Sequence, residues 1–160
     1  MLRHCTSTDA AQICDIYNYY VRETVVTFEE SPVLDVEMAR RIADITPGLP
    51  WLVWEVDGGI LGYAYATPWK VRAAYRHSVE SSIYLTQRAT GRGLGSRLYT
   101  ALIADLRQRG VHCVIGGAAL PNPGSVALHE KLGFSKVAEF REVGFKFGRW
   151  VDVAYWELVL

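Results

Sequence analysis

Thr90-Gly91-Arg92-Gly93-Leu94-Gly95-Ser96 decides how this chain is read. It follows a β-like run, Ser82-Ile83-Tyr84-Leu85, and precedes a helix-like run from Leu98 to Arg109. Three glycines at alternate positions free the backbone for unusual φ and for close approach. A helix starting just past them turns its unpaired N–H groups and its positive dipole end onto the loop. Strand, glycine loop and helix start together make an anion cradle, most often for phosphate. The bland alternative is a flexible turn that binds nothing.

Outside the loop, 160 residues with 50% hydrophobic and 21% charged side chains are expected to form one globular domain spanning 1–160. Lys+Arg and Asp+Glu both number 17, which argues against a general nucleic-acid binder. No apolar run approaches the roughly 18 residues of a membrane span. Met1-Leu2-Arg3-His4-Cys5-Thr6 lacks the apolar core of a signal peptide. Cys5, Cys14 and Cys113 form no CxxC pair, so reduced thiols in a cytoplasm are expected. No Cys/His spacing resembles a zinc site, and no metal is expected.

The order of elements follows from periodicity and punctuation. Leu2 to Cys5 reads as a strand. Ser7-Thr8-Asp9 offers an N-cap for a helix to about Tyr20, with Ile13, Ile16, Tyr17 and Tyr20 at helical spacing. Asp35 caps a second helix to about Ile45, ended by Pro47-Gly48. Trp51–Val56 and Ile60–Ala66 form a hairpin around Asp57-Gly58-Gly59. Trp69 to His77 is irregular, and Ser78 to Leu85 is a strand. After the third helix come a strand at His112–Ile115, a short helix at Ser125–Leu132 closed by Gly133, and strands at Phe134–Val143 and Val151–Val159. The result, β-α-α-β-β-β-α-β-α-β-β, is an α/β fold: a mixed, mostly antiparallel sheet flanked by helices.

Two phosphate loops are excluded by spacing. A nucleotide P-loop needs Gly, four residues, then Gly-Lys-Ser/Thr, and the lysine is missing. A dinucleotide fingerprint begun at Gly91 places its last glycine on Ser96. A third possibility is the Gln/Arg-x-x-Gly-x-Gly/Ala turn of the GNAT N-acetyltransferases, which Gly93-Leu94-Gly95 resembles in its glycine pair. Asn122-Pro123-Gly124-Ser125-Val126-Ala127-Leu128-His129-Glu130-Lys131-Leu132-Gly133-Phe134 resembles the second signature of that family. Pro68 to Tyr75, Val79 to Tyr84, Leu128-His129-Glu130 and Gly144 to Asp152 narrow the resemblance to the phosphinothricin / methionine sulfoximine acetyltransferase branch. The likeness runs over nearly the whole chain. It departs at Thr90, where the family often carries Gln or Arg; Arg88 and Arg92 are the candidates to replace that charge.

The resemblance implies a GNAT fold and acetyl-CoA as co-substrate. Gly91, Arg92, Gly93, Leu94, Gly95 and Ser96 are then the pyrophosphate loop. Asn122 and Ser125 lie along the pantetheine arm. A backbone N–H among Ile83, Tyr84 and Leu85 donates to the thioester oxygen. Glu80 is the candidate general base, on the strand that runs into the loop and on one face with Ser82 and Tyr84. His129, the second catalytic candidate, stands where many relatives carry a tyrosine acid; the branch resemblance implies a histidine there, to shape the acceptor pocket or orient water. For a small amino-acid-like acceptor, Lys70 and Arg72 offer cations to a carboxylate, beside Ala73, Ala74 and Tyr75. Phe28, Trp69 and Phe147 are candidate walls. The last strands, near which Lys146 and Trp150 lie, are expected from the resemblance to help form a homodimer and part of the acceptor site. Acetyl transfer to another amine, such as a polyamine or a protein N-terminus, stays open, as does a non-catalytic acyl-CoA binding module.

Overall fold

Seven strands and four helices follow the order read from periodicity, in a computed structural model that describes residues 1–160. The strands are β1 (Leu2–His4), β2 (Trp51–Val56), β3 (Gly59–Pro68), β4 (Ser78–Leu85), β5 (Cys113–Ala119), β6 (Ser135–Lys146) and β7 (Arg149–Val159). The helices are α1 (Ala10–Glu23), α2 (Asp35–Ile45), α3 (Leu94–Gln108) and α4 (Pro123–Lys131). One sheet holds all strands in the order β1-β2-β3-β4-β5-β7-β6. Every pairing is antiparallel except β4 with β5, which run parallel.

Both faces of the sheet are apolar where helices cover them. On one face Ile13, Val21 and Ile42 of α1 and α2 pack with Trp51, Val53 and Tyr63. On the other, Leu98, Leu102 and Leu106 of α3 are fully buried with Ala64, Val114 and Trp156. Each such leucine contributes on the order of 1.5–3 kcal/mol relative to an exposed position. Period-2 alternation along the strands sorts side chains between the two layers.

The main departures from the sequence reading are at element ends. Helix α3 begins at Leu94 rather than Leu98, because Gly93 takes the left-handed conformation at the N-cap, with φ 77°. Helix α4 begins two residues early: Asn122 Oδ1 accepts from the Ser125 N–H at 3.1 Å, and Pro123 occupies the first turn. Asp35 opens α2 rather than capping it; the cap position is Leu34. Strand β5 continues through Gly116-Gly117-Ala118-Ala119, paired to β7, where small side chains hid the strand signal.

Candidate active site

The parallel pair is the origin of the site. β4 and β5 pair from Ser78↔Cys113 to Ser81↔Gly116 and no further. Beyond that point β4 stays on β3 as far as Gly62↔Leu85, while β5 stays on β7 as far as Ala119↔Val153. The two strands therefore fork. A cleft of about 500 Å³ fills the fork, lined by Ser82–Leu85 on one side and Gly117–Ala119 on the other. The glycine loop and α4 close its ends through Thr90, Gly91, Gly93, Gly95, Ser96, Asn122 and Ser125.

Backbone direction along β4 assigns the donors. Ser78 C=O accepts from Trp69 N–H on the β3 side, so alternation turns the backbone of Ile83 and Leu85 toward the fork and that of Tyr84 toward β3. This narrows the sequence expectation: Tyr84 offers no free N–H to the cleft. The Leu85 carbonyl already accepts from Tyr20 Oη at 2.7 Å.

The loop suits an extended anion. Gly91 and Gly93 both have positive φ, and a Cβ there would meet nothing within 4 Å. Glycine is needed there for conformation, not for space: the positive φ values shape the turn that lines the cleft at the start of α3. Thr90 lines the cleft, its hydroxyl donating to the Gln87 carbonyl at 2.8 Å. Arg88 and Arg92 are elsewhere. They line a separate exposed recess with Trp54 and Arg97, so neither stands in the cleft in place of the charge missing at Thr90.

Glu80 and His129 are sorted to opposite faces. A Cβ on Gly117 would lie 3.6 Å from Glu80 Oε1 and 3.0 Å from the Tyr155 ring. A Cβ on Gly116 would lie 2.2 Å from His129 Nε2 and 3.1 Å from Tyr99 Oη. Adjacent strand residues point to opposite faces, so the carboxylate and the imidazole have the sheet between them.

The imidazole is part of a buried chain of hydrogen bonds. His129 is 3% exposed. Its Nδ1 donates to the Ser125 carbonyl at 2.7 Å. Burial pushes its pKa down against the opposing pull of that carbonyl, which favours the neutral ring. Nε2 therefore accepts, from Tyr99 Oη at 3.2 Å. Tyr99 Oη in turn lies 2.5 Å from Ser81 Oγ, which also reaches the Ile115 carbonyl at 3.2 Å. Ser81, Tyr99 and His129 all touch the cleft.

The carboxylate is half-buried, and burial raises its pKa; the nearby positive charge of Lys70 pulls the other way. Around it are Tyr155, also raised by burial and by Glu80, and Trp69, whose ring meets Tyr155 edge-on at 5.8 Å. Lys70 Nζ sits over Trp69 at 4.8 Å. Structure thus joins Trp69 and Lys70 to Glu80. None of Glu80, Trp69 and Lys70 is in the cleft lining itself; Arg72, Ala73, Ala74 and Tyr75 are also outside it and form an exposed 3₁₀ turn and its cap. Phe28 packs on β6, where a Cβ on Gly144 would come within 2.3 Å of its ring. Phe147 is 58% exposed beyond β6.

Sequence reasoning missed Tyr99, Tyr155, Tyr20 and the Gly116-Gly117 pair. Tyr99 stands one helical turn after Gly95, the spacing that brings it under the cleft. Tyr155 pairs with Gly117 across β5 and β7, a relation that needs strand register to be seen.

Among known proteins, the Acetyltransferase (GNAT) domain family matches residues 2–155. The chain is 40% identical to a phosphinothricin N-acetyltransferase of Streptomyces viridochromogenes, over 98% of this chain and 85% of that protein. It is 36% identical to an L-methionine sulfoximine/L-methionine sulfone acetyltransferase of Salmonella typhimurium, over 99% of this chain and 94% of that protein. A GNAT superfamily phosphinothricin acetyltransferase from Sinorhizobium meliloti, solved in complex with AcCoA, superposes with a TM-score of 0.96 at 38% identity, covering 100% of this chain and 88% of that one. The forked parallel pair, the glycine loop at the head of α3 and a family match over nearly the full length place this chain in the GNAT acetyltransferase family.

Proposed function

We propose that one domain spanning the chain transfers acetyl from acetyl-CoA to the α-amine of a small amino-acid-like acceptor, with phosphinothricin, methionine sulfoximine and methionine sulfone as the leading substrates. The observation that carries this reading is the fork: the glycine loop closes one end and a burial-shifted carboxylate stands beside its vertex. The acceptor chemistry rests on the likeness to enzymes named for those substrates.

The amides of Gly91 to Ser96 would hold the pyrophosphate, with Asn122 and Ser125 along the pantetheine arm. The Ile83 N–H, free on the fork side of β4, would donate to the thioester carbonyl as negative charge develops on its oxygen. Glu80 would take a proton from the incoming ammonium, directly or through water. A raised pKa brings the carboxylate closer to the amine's proton affinity, which suits a base working near neutrality. The neutral amine attacks the thioester carbon, the C–S bond breaks, and the proton that the nitrogen loses on becoming an amide balances the one that the departing thiolate takes up. The Ser81–Tyr99–His129 chain, which touches the cleft, is the polar network that would serve this transfer. Lys70 lies close enough to Glu80 to act on its charge, and serves an acceptor carboxylate better than the more distant Arg72.

Two further expectations belong to this reading. The outer face of β6 and β7 exposes Phe140, Val143, Phe145, Phe147 and Trp150, each more than half exposed, an apolar surface suited to a second copy. The three cysteines are free, as in a reducing cytoplasm.

The test is a thiol-release assay with acetyl-CoA against methionine sulfone, methionine sulfoximine, phosphinothricin, spermidine and a peptide with a free N-terminus. Turnover on the first three supports the proposal. Turnover on spermidine or the peptide alone overturns the acceptor, and acetyl-CoA binding with no turnover leaves a binding module.

A further inference from the structure

Residues 24–34, between α1 and α2, contain no helix or strand, yet their course is fixed by side chains from three elements. From α1, Asn18 Nδ2 donates to the Val33 carbonyl at 2.9 Å and its Oδ1 accepts from Val33 N–H at 2.8 Å. Tyr17 Oη, on the same helix, meets Thr27 Oγ1 at 2.7 Å. From α2, Arg41 pairs with Glu29 at 2.6 Å. The third anchor comes from far along the chain. Lys146, the last residue of β6, is 2% exposed, and its ammonium donates to the carbonyls of Thr24 and Thr27, both at 2.8 Å.

An ammonium buried among carbonyls is costly unless its donors are used. Here two of three are used on one short segment. The same end of β6 receives that segment's aromatic ring: Phe28 lies on Gly144, two residues before Lys146, where a Cβ would come within 2.3 Å. Val26, between the two clamped carbonyls, lines the cleft. Glu30 is the acidic group that acts on the ammonium, at longer range than a salt bridge.

We propose that Lys146 is a positioning residue for acceptor binding: its ammonium clamps residues 24–30 against the end of β6, and so fixes Val26 as a wall of the cleft and Phe28 on Gly144. This rests on the acceptor reading above. The acetyl-CoA side of the cleft is built from other elements, the loop and α4. The Gly-Phe-Lys run at 144–146 thereby gains one physical account: a glycine to seat the ring and a lysine to tie the backbone around it.

The test compares Lys146→Met and Lys146→Arg with wild type in steady-state kinetics and in hydrogen exchange over residues 24–30. Lys146→Met is expected to raise the acceptor KM by about tenfold or more, since small displacements of a positioning wall are expensive, while the acetyl-CoA KM moves less than about twofold. Exchange at 24–30 should accelerate, and Lys146→Arg should recover part of both effects. An unchanged acceptor KM, equal rises in both KM values, or unchanged exchange at 24–30 overturns the proposal. Should Lys146→Met fail to fold, Arg41→Met opens the opposite anchor of the same segment, and an acceptor KM unmoved by it also overturns the proposal. If wild type acetylates none of the amino-acid acceptors, the substrate reading falls, and the exchange comparison alone decides whether Lys146 holds the segment.

Discussion

Glu80 and His129 face away from each other across the sheet, and two neighbouring glycines of β5 separate them: Gly117 leaves room beside the carboxylate, and Gly116 lets the imidazole lie against the backbone. A carboxylate and an imidazole so placed cannot share a proton directly. Any acid and base roles they hold are exercised from different faces of the sheet.

Replacing Glu80 with Gln keeps the shape and removes the proposed base. The expected loss in kcat is roughly 10²–10⁴-fold, the usual worth of a positioned base. Acetyl-CoA binding, followed by thermal shift, should be unchanged. Turnover equal to wild type would remove Glu80 from the mechanism.

The pH profile should show the burial of Glu80. Only the carboxylate accepts a proton, so activity is lost on acidification through a pKa above the ordinary glutamate value. Lys70 favours the ionised form, so Lys70→Met should move this acidic limb to higher pH. Stability runs the opposite way: ionisation is penalised in the folded state alone, a cost present above the raised pKa and absent below the unfolded one. Glu80→Gln should therefore exceed wild type in stability near pH 8 and match it at or below about pH 4. A limb that stays put in Lys70→Met excludes the coupling.

At Gly116, alanine would place a methyl 2.2 Å from His129 Nε2. The imidazole must move, breaking the bond to Tyr99, in a core already filled. The expected destabilisation is about 1–3 kcal/mol, typical of overpacking, read by urea denaturation. A variant of wild-type stability would show that the ring has another place to go.

Gly93→Ala isolates the conformational role of the loop. No atom lies within 4 Å of the added methyl, so the cost is that of φ +77° alone. Roughly 1–2 kcal/mol is expected for an L-residue held there. The variant should relieve it by turning the amides, which weakens acetyl-CoA binding in calorimetry. Unaltered affinity would mean that the loop backbone does not hold the pyrophosphate.

The order of the elements was legible because each has its own periodicity. β2 and β4 match their expected spans residue for residue. The loop was legible because glycine is strongly favoured at φ 72° and 77°, the values at Gly91 and Gly93. What escaped was the continuation of β5 through Gly116-Gly117-Ala118-Ala119, since residues without large side chains show no alternation. The short reading of β5 also hid the fork, and with it the partners of Gly116 and Gly117.

By itself, then, the sequence determined the donor end of the site: a strand, a left-handed glycine turn and a helix start are contiguous, and their geometry is set by local backbone energetics. Glu80 could be placed on a strand face by period alone. The tertiary structure decided the rest, because its distances depend on strand register and on packing between distant segments. Register puts Tyr155 opposite Gly117 and carries Glu80 and His129 to different faces. Packing brings Lys146 to the carbonyls of Thr24 and Thr27, some 120 residues earlier in the chain, a contact that no local pattern in either segment encodes.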